Sequence, residues 1–249
     1  LFVLSTFTGF AQEDVSRSSV FTTMPHDSQA VSFTQDHFAI HADGVGDDSA
    51  ALQAAIDQVS ETTSYGVVFI PEGTYRLANT IHLWRGIRLI GYGEKRPVFL
   101  LGQNTPGFGE GQEKYLLKFC HKPTGTDSVS DAGNTSYASG MKNIDFKIES
   151  GNPGAIAVRY HIPQLCMLEN MHFDIGEGKG GIKDIGSLIE QCSFEGGDRN
   201  SANLRWLAGY APKLSIQLSA HRFHSHSTGR SDGDRLPFHR HGNGDHDYP

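Results

Sequence analysis

The chain has 249 residues, of which 37% are hydrophobic and 20% charged, so it can bury one sizeable core. Residues 198–249 hold seven Lys/Arg and five Asp/Glu, whereas the rest of the chain holds 14 and 23. A body this acidic argues against a nucleic-acid partner, because phosphate binding needs clustered cations. The 29 glycines favour an architecture with many turns.

Residues 1–11 are mostly apolar and end in small residues, which predicts the remnant of a signal peptide. An uncleaved or disordered leader is the alternative. Export predicts an extracellular or periplasmic location. Residues 12–37 are polar and without pattern, and we expect an exposed lead-in. No later run approaches the ~18 apolar residues of a membrane span, so none is predicted.

A short amphipathic helix is predicted after residue 49, since apolar residues recur at helical spacing: Leu52, Ala55, Ile56 and Val59. Three carboxylates and a glycine precede it, namely Asp43, Gly44, Asp47 and Asp48. Paired acids can bind a cation or transfer protons, but their position favours a structural role in helix capping and turn formation.

Short strands separated by tight turns are predicted from residue 66 onward. Residues 67–71 are echoed 20 residues later by 87–91, and such a period is typical of a solenoid. A second repeat links residues 143–148, 170–175 and 191–196 at spacings of 27 and 21 residues. This pattern predicts an all-β, right-handed, single-stranded parallel β-helix over residues 38–197, with the short helix as an amino-terminal cap.

In such a fold, equivalent residues of successive coils form ladders. Alternation predicts that one inward ladder contains Phe146, Phe173 and Phe194 and a second contains Ile144, Met171 and Cys192. Asn143, Asn170 and Gln191 are expected at one turn, where their side chains can bond each other. Residues 102–140 form a long polar stretch that is either functional or disordered, with one strand near residue 117.

The repeat stops after residue 197. Residues 198–249 are rich in His and Arg, and we expect an aberrant tail that is frame-shifted or disordered, a genuine extension being the alternative. His224 with His226, and His239 with His241, have a spacing that can chelate zinc on a strand, but no metal site is assigned. The odd number of cysteines (120, 166 and 192) favours buried thiols over a disulfide framework.

Three segments carry a resemblance to a known family: residues 42–57 read ADGxxDDSxALQxAID, residues 67–75 read VVFIPxGTY, and residues 89–93 read LIGxG. They resemble the amino-terminal signature of the pectate-lyase-superfamily β-helix domain found in rhamnogalacturonase and polygalacturonase relatives. DAGN at 131–134, GNPGA at 151–155 and HIPQ at 161–164 are similar to the exo-β-1,3-glucanases of glycoside hydrolase family 55. The resemblance implies fold more specifically than chemistry, and implies that the decisive acids often lie in later coils, so that part of the active site is missing from this chain.

Candidate site residues follow from the outward rows of the repeat. Asp174 and Glu195 are expected about 5 Å apart on adjacent coils, the spacing of a retaining glycosidase, with His172 as a proton carrier. Asp145 and Lys147 are expected to contact substrate. Trp84 and Tyr92 are candidates for stacking on sugar rings. Solvent-facing polar rows on any β-helix are the simpler explanation of the polar residues, and core or turn packing is an equal alternative for the two aromatic residues.

The leading hypothesis is a secreted glycoside hydrolase that cleaves a polysaccharide and needs no cofactor. A polysaccharide lyase is the first alternative, and would use Ca²⁺ with Lys147 and Asp174 as its only candidates. A non-catalytic glycan-binding or surface β-helix is the second. The sequence predicts no oligomeric state.

Overall fold

The computed structural model describes residues 18–122, 128–133, 135–161, 165–184 and 187–197, together with the backbone of one strand at 216–218. The described chain winds into a stack of coils whose strands form three faces. The prediction of a parallel β-helix is confirmed. The prediction of a frame-shifted tail falls almost wholly outside the described residues.

Face A is built from parallel strands that begin each coil. In chain order they are β1 (Val31–Ser32), β3 (Gly66–Pro71), β6 (Ile87–Tyr92), β10 (Gly140–Lys142) and the first halves of β13 (Met167–Asp174) and β15 (Leu188–Glu195). The inward residues of this face are Val68, Leu89, Met141, Leu168 and Ile189, and all are buried.

Face B follows each face A strand after a sharp corner. Its strands are β2 (Asp43–Asp47), β4 (Thr74–Arg76), β7 (Val98–Leu101), β11 (Asp145–Ile148), the second halves of β13 and β15, and β16 (Ile216–Leu218). Its inward aromatic ladder begins earlier than the sequence repeat predicts, at Tyr75 and Phe99. The ring centroids of Phe146 and Phe173 are 5.3 Å apart and those of Phe173 and Phe194 are 4.7 Å apart, both pairs stacked.

Face C closes each coil with strands β5 (Ile81–Trp84), β8 (Lys114–His121), β12 (Ala155–Arg159) and β14 (Gly180–Lys183). The two-residue strand β9 (Ser130–Asp131) pairs antiparallel with the end of β8. Inward residues of face C, such as Leu117, Val158 and Ile182, complete a core that runs along the axis of the stack.

In three coils the corner between faces A and B contains a residue with positive φ. Asn143, Asn170 and Gln191 occupy it with φ values of 62°, 53° and 52°. Asparagine tolerates this conformation better than most residues with a Cβ. The Asn170 amide donates to the side-chain oxygen of Asn143 at 2.8 Å, and the Asn143 amide donates to the Gly91 carbonyl at 2.8 Å. The corner is therefore joined from coil to coil by side-chain hydrogen bonds.

Helix α1 (Ser49–Thr62) covers the first coil, where β5 would otherwise present a free edge. The Gln53 side chain accepts a hydrogen bond from the His82 amide at 2.8 Å and donates to the His82 carbonyl at 3.1 Å. One side-chain amide thus replaces the next strand. Because an unpaired edge invites association with other chains, α1 protects this end of the solenoid.

The prediction of an exposed lead-in over residues 12–37 is wrong for part of that segment. Val31–Ser32 joins face A beside β3, and the Phe33 side chain is fully buried. Further upstream, the Val20 amide donates to the side-chain oxygen of Asn143 at 2.9 Å. The lead-in is therefore attached to the coil corner, whereas the predicted signal peptide of residues 1–11 lies outside the described residues.

The three cysteines are free and buried, as the sequence predicts. Burial raises the pKa of Cys120 and of Cys192 to about 12. Since a thiol reacts as its thiolate, these cysteines are inert packing groups.

Candidate functional site

Two outward rows on face B contain most of the predicted site residues. Backbone register places Asp145 beside Val98, and His172 beside Ser193; in the second row, Lys147 lies beside Asp174, which lies beside Glu195. The side chains of residues i and i+2 on one strand point to the same side of a sheet. The structure thus brings the predicted acids, the histidine and the lysine to one outer surface.

Asp145 is held from below by a buried cation that sequence reasoning missed. The Arg96 side chain is inaccessible to solvent, and its Nε lies 3.0 Å from Oδ1 of Asp145, which is 15% exposed. The same carboxylate oxygen accepts the backbone N–H of His172 at 2.8 Å. Arg96 also donates to the Asn170 carbonyl at 3.0 Å. Asp145 therefore joins coils, and its predicted contact with substrate stays a prediction.

His172 lies at the centre of a polar group of three residues. Its Nδ1 is 2.8 Å from Oγ of Ser193, and its Nε2 is 3.9 Å from Oε2 of Glu195. The His172 side chain is 9% exposed and that of Glu195 is 36% exposed. The pair can exchange a proton with a molecule bound at the surface, since one partner is buried and the other reaches solvent.

Asp174 and Glu195 occupy the same position on adjacent coils of β13 and β15. Neighbouring strands of a sheet lie ~4.8 Å apart, so the two carboxylates rise from the surface side by side. Lys147 follows Asp174 on the other side of the row and is exposed. The second row thus presents one cation and two acids in succession.

The two aromatic residues predicted to stack on sugars lie in different environments. Trp84 is 7% exposed, and its Nε1 donates to the carboxylate of Asp57 on α1 at 2.6 Å. The prediction for Trp84 is wrong, because the helix covers this end of face C. Tyr92 is half-buried, and burial raises its pKa.

The three carboxylates near the helix start organise turns, and one of them serves the helix start as predicted, because Oδ1 of Asp47 accepts the backbone N–H of Ser49, the first residue of α1, at 3.0 Å. Asp48 is the residue before α1, but its side chain makes no cap bond to the helix. It accepts the backbone N–H groups of His41 and Ala42 at 2.6 and 3.1 Å. Asp43 accepts those of Val45 and Gly46, which lower its pKa. Backbone N–H groups thus donate to all three carboxylates.

Face C carries an outward row of cations that the sequence did not reveal. Lys118 is in register with Arg159, and Arg159 with Lys183. The Asp131 carboxylate lies 2.9 Å from Lys118 Nζ and 2.8 Å from Arg159 Nη2. Burial acts to raise the pKa of Asp131, but these two hydrogen-bonded cations hold it at about 2.

A second carboxylate completes this network. Glu113 accepts hydrogen bonds from Lys179 at 2.7 Å, from Lys183, and from the Tyr115 hydroxyl at 2.7 Å. The two lysines lower the pKa of Glu113 to about 2. The cations of face C are therefore neutralised by carboxylates that arrive from neighbouring segments.

Within the described ranges, no three His, Cys, Asp or Glu side chains are grouped so that they could hold a metal ion. The paired histidines beyond residue 220 lie outside the described part of the chain. No helix in the described part is long and apolar enough to cross a membrane.

Comparison with known proteins places this architecture in context. A curated glucan 1,3-beta-glucosidase from Cochliobolus carbonum is 26% identical over 152 residues, which are 60% of this chain and 17% of that protein. The surface adhesin PfbA of Streptococcus pneumoniae has a TM-score of 0.44 at 16% identity, over 68% of this chain and 39% of that one. The A-module of the Azotobacter vinelandii mannuronan C-5 epimerase AlgE4 has a TM-score of 0.42 at 19% identity, over 66% and 43%.

The present chain spans less than half of each of these relatives. A family model described as rhamnogalacturonase A/epimerase, pectate lyase-like, matches residues 34–229. The match begins directly after the buried residue Phe33 and continues 32 residues beyond residue 197, where the sequence repeat is predicted to end. The chain therefore belongs to the rhamnogalacturonase A/epimerase, pectate lyase-like family.

Proposed function

We propose that this chain is part of an exported polysaccharide-active protein, and that the outward rows of face B form the floor of its glycan-binding surface. The glucosidase relative supports a glycan as the ligand. Face B supports the location, because its exposed row combines Lys147, Asp174 and Glu195. Charged and polar groups in succession suit a polymer of hydroxyl-bearing rings that lies along the stack.

The proposed reaction is hydrolysis of a glycosidic bond by two carboxyl groups. The observation that carries it is the register of Asp174 with Glu195 on adjacent coils. The ~4.8 Å strand spacing is close to the ~5 to 5.5 Å between the two carboxyls of retaining glycosidases. A pair at this distance leaves no room for a water between carboxylate and sugar, so it favours a covalent intermediate.

The two acids have different surroundings, which suggests different roles. Glu195 lies 3.9 Å from Nε2 of His172 and can be reprotonated through the imidazole, so it is assigned as the proton donor to the leaving oxygen. Asp174 has Lys147 as its other neighbour in the row and is assigned as the nucleophile. We assign the exclusion of water from the two carboxyl groups to the bound glycan.

The test incubates the 249-residue protein with a β-1,3-glucan, polygalacturonate, alginate and iota-carrageenan. New reducing ends are measured together with the ultraviolet absorbance of unsaturated sugars. We expect reducing ends without unsaturated products on at least one polymer. Asp174→Asn and Glu195→Gln should each lower the rate by about 100-fold or more, the range of general acid–base catalysis.

Glu190→Gln is the matched control, since Glu190 lies outward on the same strand β15 but on face A. It should cleave like the parent chain. Unsaturated products would establish the lyase alternative instead. Binding without cleavage, unchanged in Asp174→Asn, would establish a non-catalytic module. The absence of both binding and cleavage would overturn the proposal.

Export and the domain boundaries form part of the same proposal. Residues 1–11 are proposed to be removed on secretion, which amino-terminal sequencing of protein recovered from the culture medium tests. A mature chain that begins at Leu1 or earlier would contradict removal.

A further inference from the structure

Three side chains on face B contact one another, and one of them, Ser193, has no part in the glycosidic cleavage proposed above. Oγ of Ser193 lies 2.8 Å from Nδ1 of His172, while Nε2 of the same ring lies 3.9 Å from Oε2 of Glu195. A hydroxyl on one imidazole nitrogen and a carboxylate near the other is the arrangement of an activated serine nucleophile.

We propose that Ser193, His172 and Glu195 form a nucleophile, base and carboxylate unit that hydrolyses ester groups. The activity goes beyond the glycosidic cleavage proposed above. Only the identity of its substrate, an acyl or methyl ester carried by a glycan, rests on that proposed function.

The fold positions the three groups without help from loops. Ser193 and Glu195 are two residues apart on β15, so both side chains leave the same side of the sheet, and His172 is the register neighbour of Ser193 on β13. Below them, stacked Phe173 and Phe194 fix the relation between the two coils. Rigid strands hold a catalytic geometry better than mobile loops do.

The backbone of His172 is fixed as well. Its N–H donates to Asp145 at 2.8 Å, and the Asp145 carboxylate is paired with the buried Arg96. The main chain that carries the imidazole is therefore held in place. The His172 side chain is 9% exposed, whereas Ser193 is half-buried. A substrate can approach Ser193 while the base stays shielded from water.

Ester hydrolysis uses the carboxylate form of Glu195, whereas glycosidic cleavage uses its protonated form, and the carboxylate selects the useful tautomer. A carboxylate beside Nε2 favours a proton on that nitrogen, which leaves the lone pair of Nδ1 to accept the hydrogen of the Ser193 hydroxyl. A hydrogen bond that only joined two coils would need no ionisable group at the far nitrogen. A carboxylate there assists a general base, because it stabilises the imidazolium formed during proton transfer.

The reaction is an acyl transfer in two balanced steps. Oγ of Ser193 attacks the carbonyl carbon of the ester as its proton moves to Nδ1 of His172. The tetrahedral intermediate then expels the alcohol, which takes that proton, and an acyl-serine is left. Water, deprotonated by the same nitrogen, attacks the acyl-serine and releases the acid and the free Ser193 hydroxyl.

A fluorophosphonate probe tests the nucleophile without any glycan, so its result does not depend on the polysaccharide assay. We expect one covalent adduct by intact mass, located on Ser193 by peptide mass spectrometry, and hydrolysis of p-nitrophenyl acetate. Ser193→Ala should lose the adduct. His172→Gln should lower labelling and turnover by about 100-fold or more, the usual contribution of a general base.

Ser187→Ala provides the control, because Ser187 is also a half-buried serine in the same coil and its Oγ accepts the Cys166 amide. It should label like the parent chain. Circular dichroism of His172→Gln checks that the coils have formed. If His172→Gln does not fold, the labelling of Ser193→Ala tests the proposal. Absence of an adduct on the parent chain, or equal labelling of Ser193→Ala, would overturn the proposal.

Discussion

Faces B and C both present polar rows to solvent, but they neutralise these rows in opposite ways. On face C, Lys118, Arg159 and Lys183 are stacked like charges, and carboxylates from outside the row compensate them. On face B, the side chains within the rows contact one another, as His172 contacts Ser193 and Glu195. Like charges directly opposite one another destabilise a sheet, and both faces contain them: the cations of face C, and Asp174 beside Glu195 on face B. The carboxylates that reach face C therefore join its coils, whereas the charged residues of face B are those to which we assign the proposed chemistry.

The largest effect is expected from removal of the buried cation Arg96 beneath face B. Arg96→Met leaves Asp145 without its buried partner and the Asn170 carbonyl without its donor. Breaking a buried ion pair from one side costs about 3 kcal/mol or more, so the free energy of unfolding in urea should fall by that amount. Arg85→Met is the control, since Arg85 is exposed and lies 5.7 Å above the Tyr65 ring. Equal losses in the two variants would mean that face B is not anchored through Arg96.

A smaller effect is expected from the cation at the centre of face C. Arg159→Met removes its bond to Asp131 and its ion pair with Asp184, both at partly exposed positions. The loss should be about 1 to 2 kcal/mol, the value of hydrogen bonds to charged groups discounted for solvent. A double-mutant cycle with Asp131→Asn measures the pair directly, and a coupling energy near zero would show that face C is not joined in this way.

The smallest effect is a pH dependence that face C should show. The pKa values of Glu113 and Asp131 are both about 2 in the folded protein, against ordinary values of 4.5 and 3.8. Their stabilisation is complete above about pH 5 and is lost as the pH falls toward 2, because the unfolded chain then binds protons first. We expect about 1 kcal/mol from Glu113, since Lys179 and Lys183 are partly exposed. Melting temperatures of the parent chain and Glu113→Gln should converge on acidification, and a constant difference would contradict this.

The features that were predictable from sequence are those that repeat. The aromatic ladder and the asparagine corner could be found because strands alternate with a period of two and one motif recurs at 143, 170 and 191. The row of cations on face C could not be predicted, because loops of unequal length separate its strands. Lys118 and Arg159 are therefore 41 residues apart and share no motif. Arg96 lies in a turn and carries no periodic signal. Trp84 was misjudged because a helix, not solvent, covers its strand.

The 21-residue interval between β13 and β15 has a consequence for how such a chain can change length. Residues at this interval keep their face, their row and their place at the corner, as Phe173 and Phe194 do. In a solenoid each unit touches only the units before and after it. Duplication or deletion of one whole period would give new neighbours only to the two flanking coils, and would keep the residues of all the other coils on their faces and in their rows. Genes of this kind can therefore grow or shrink by single turns of the solenoid, and selection can act on the surface of one turn without redesign of the rest.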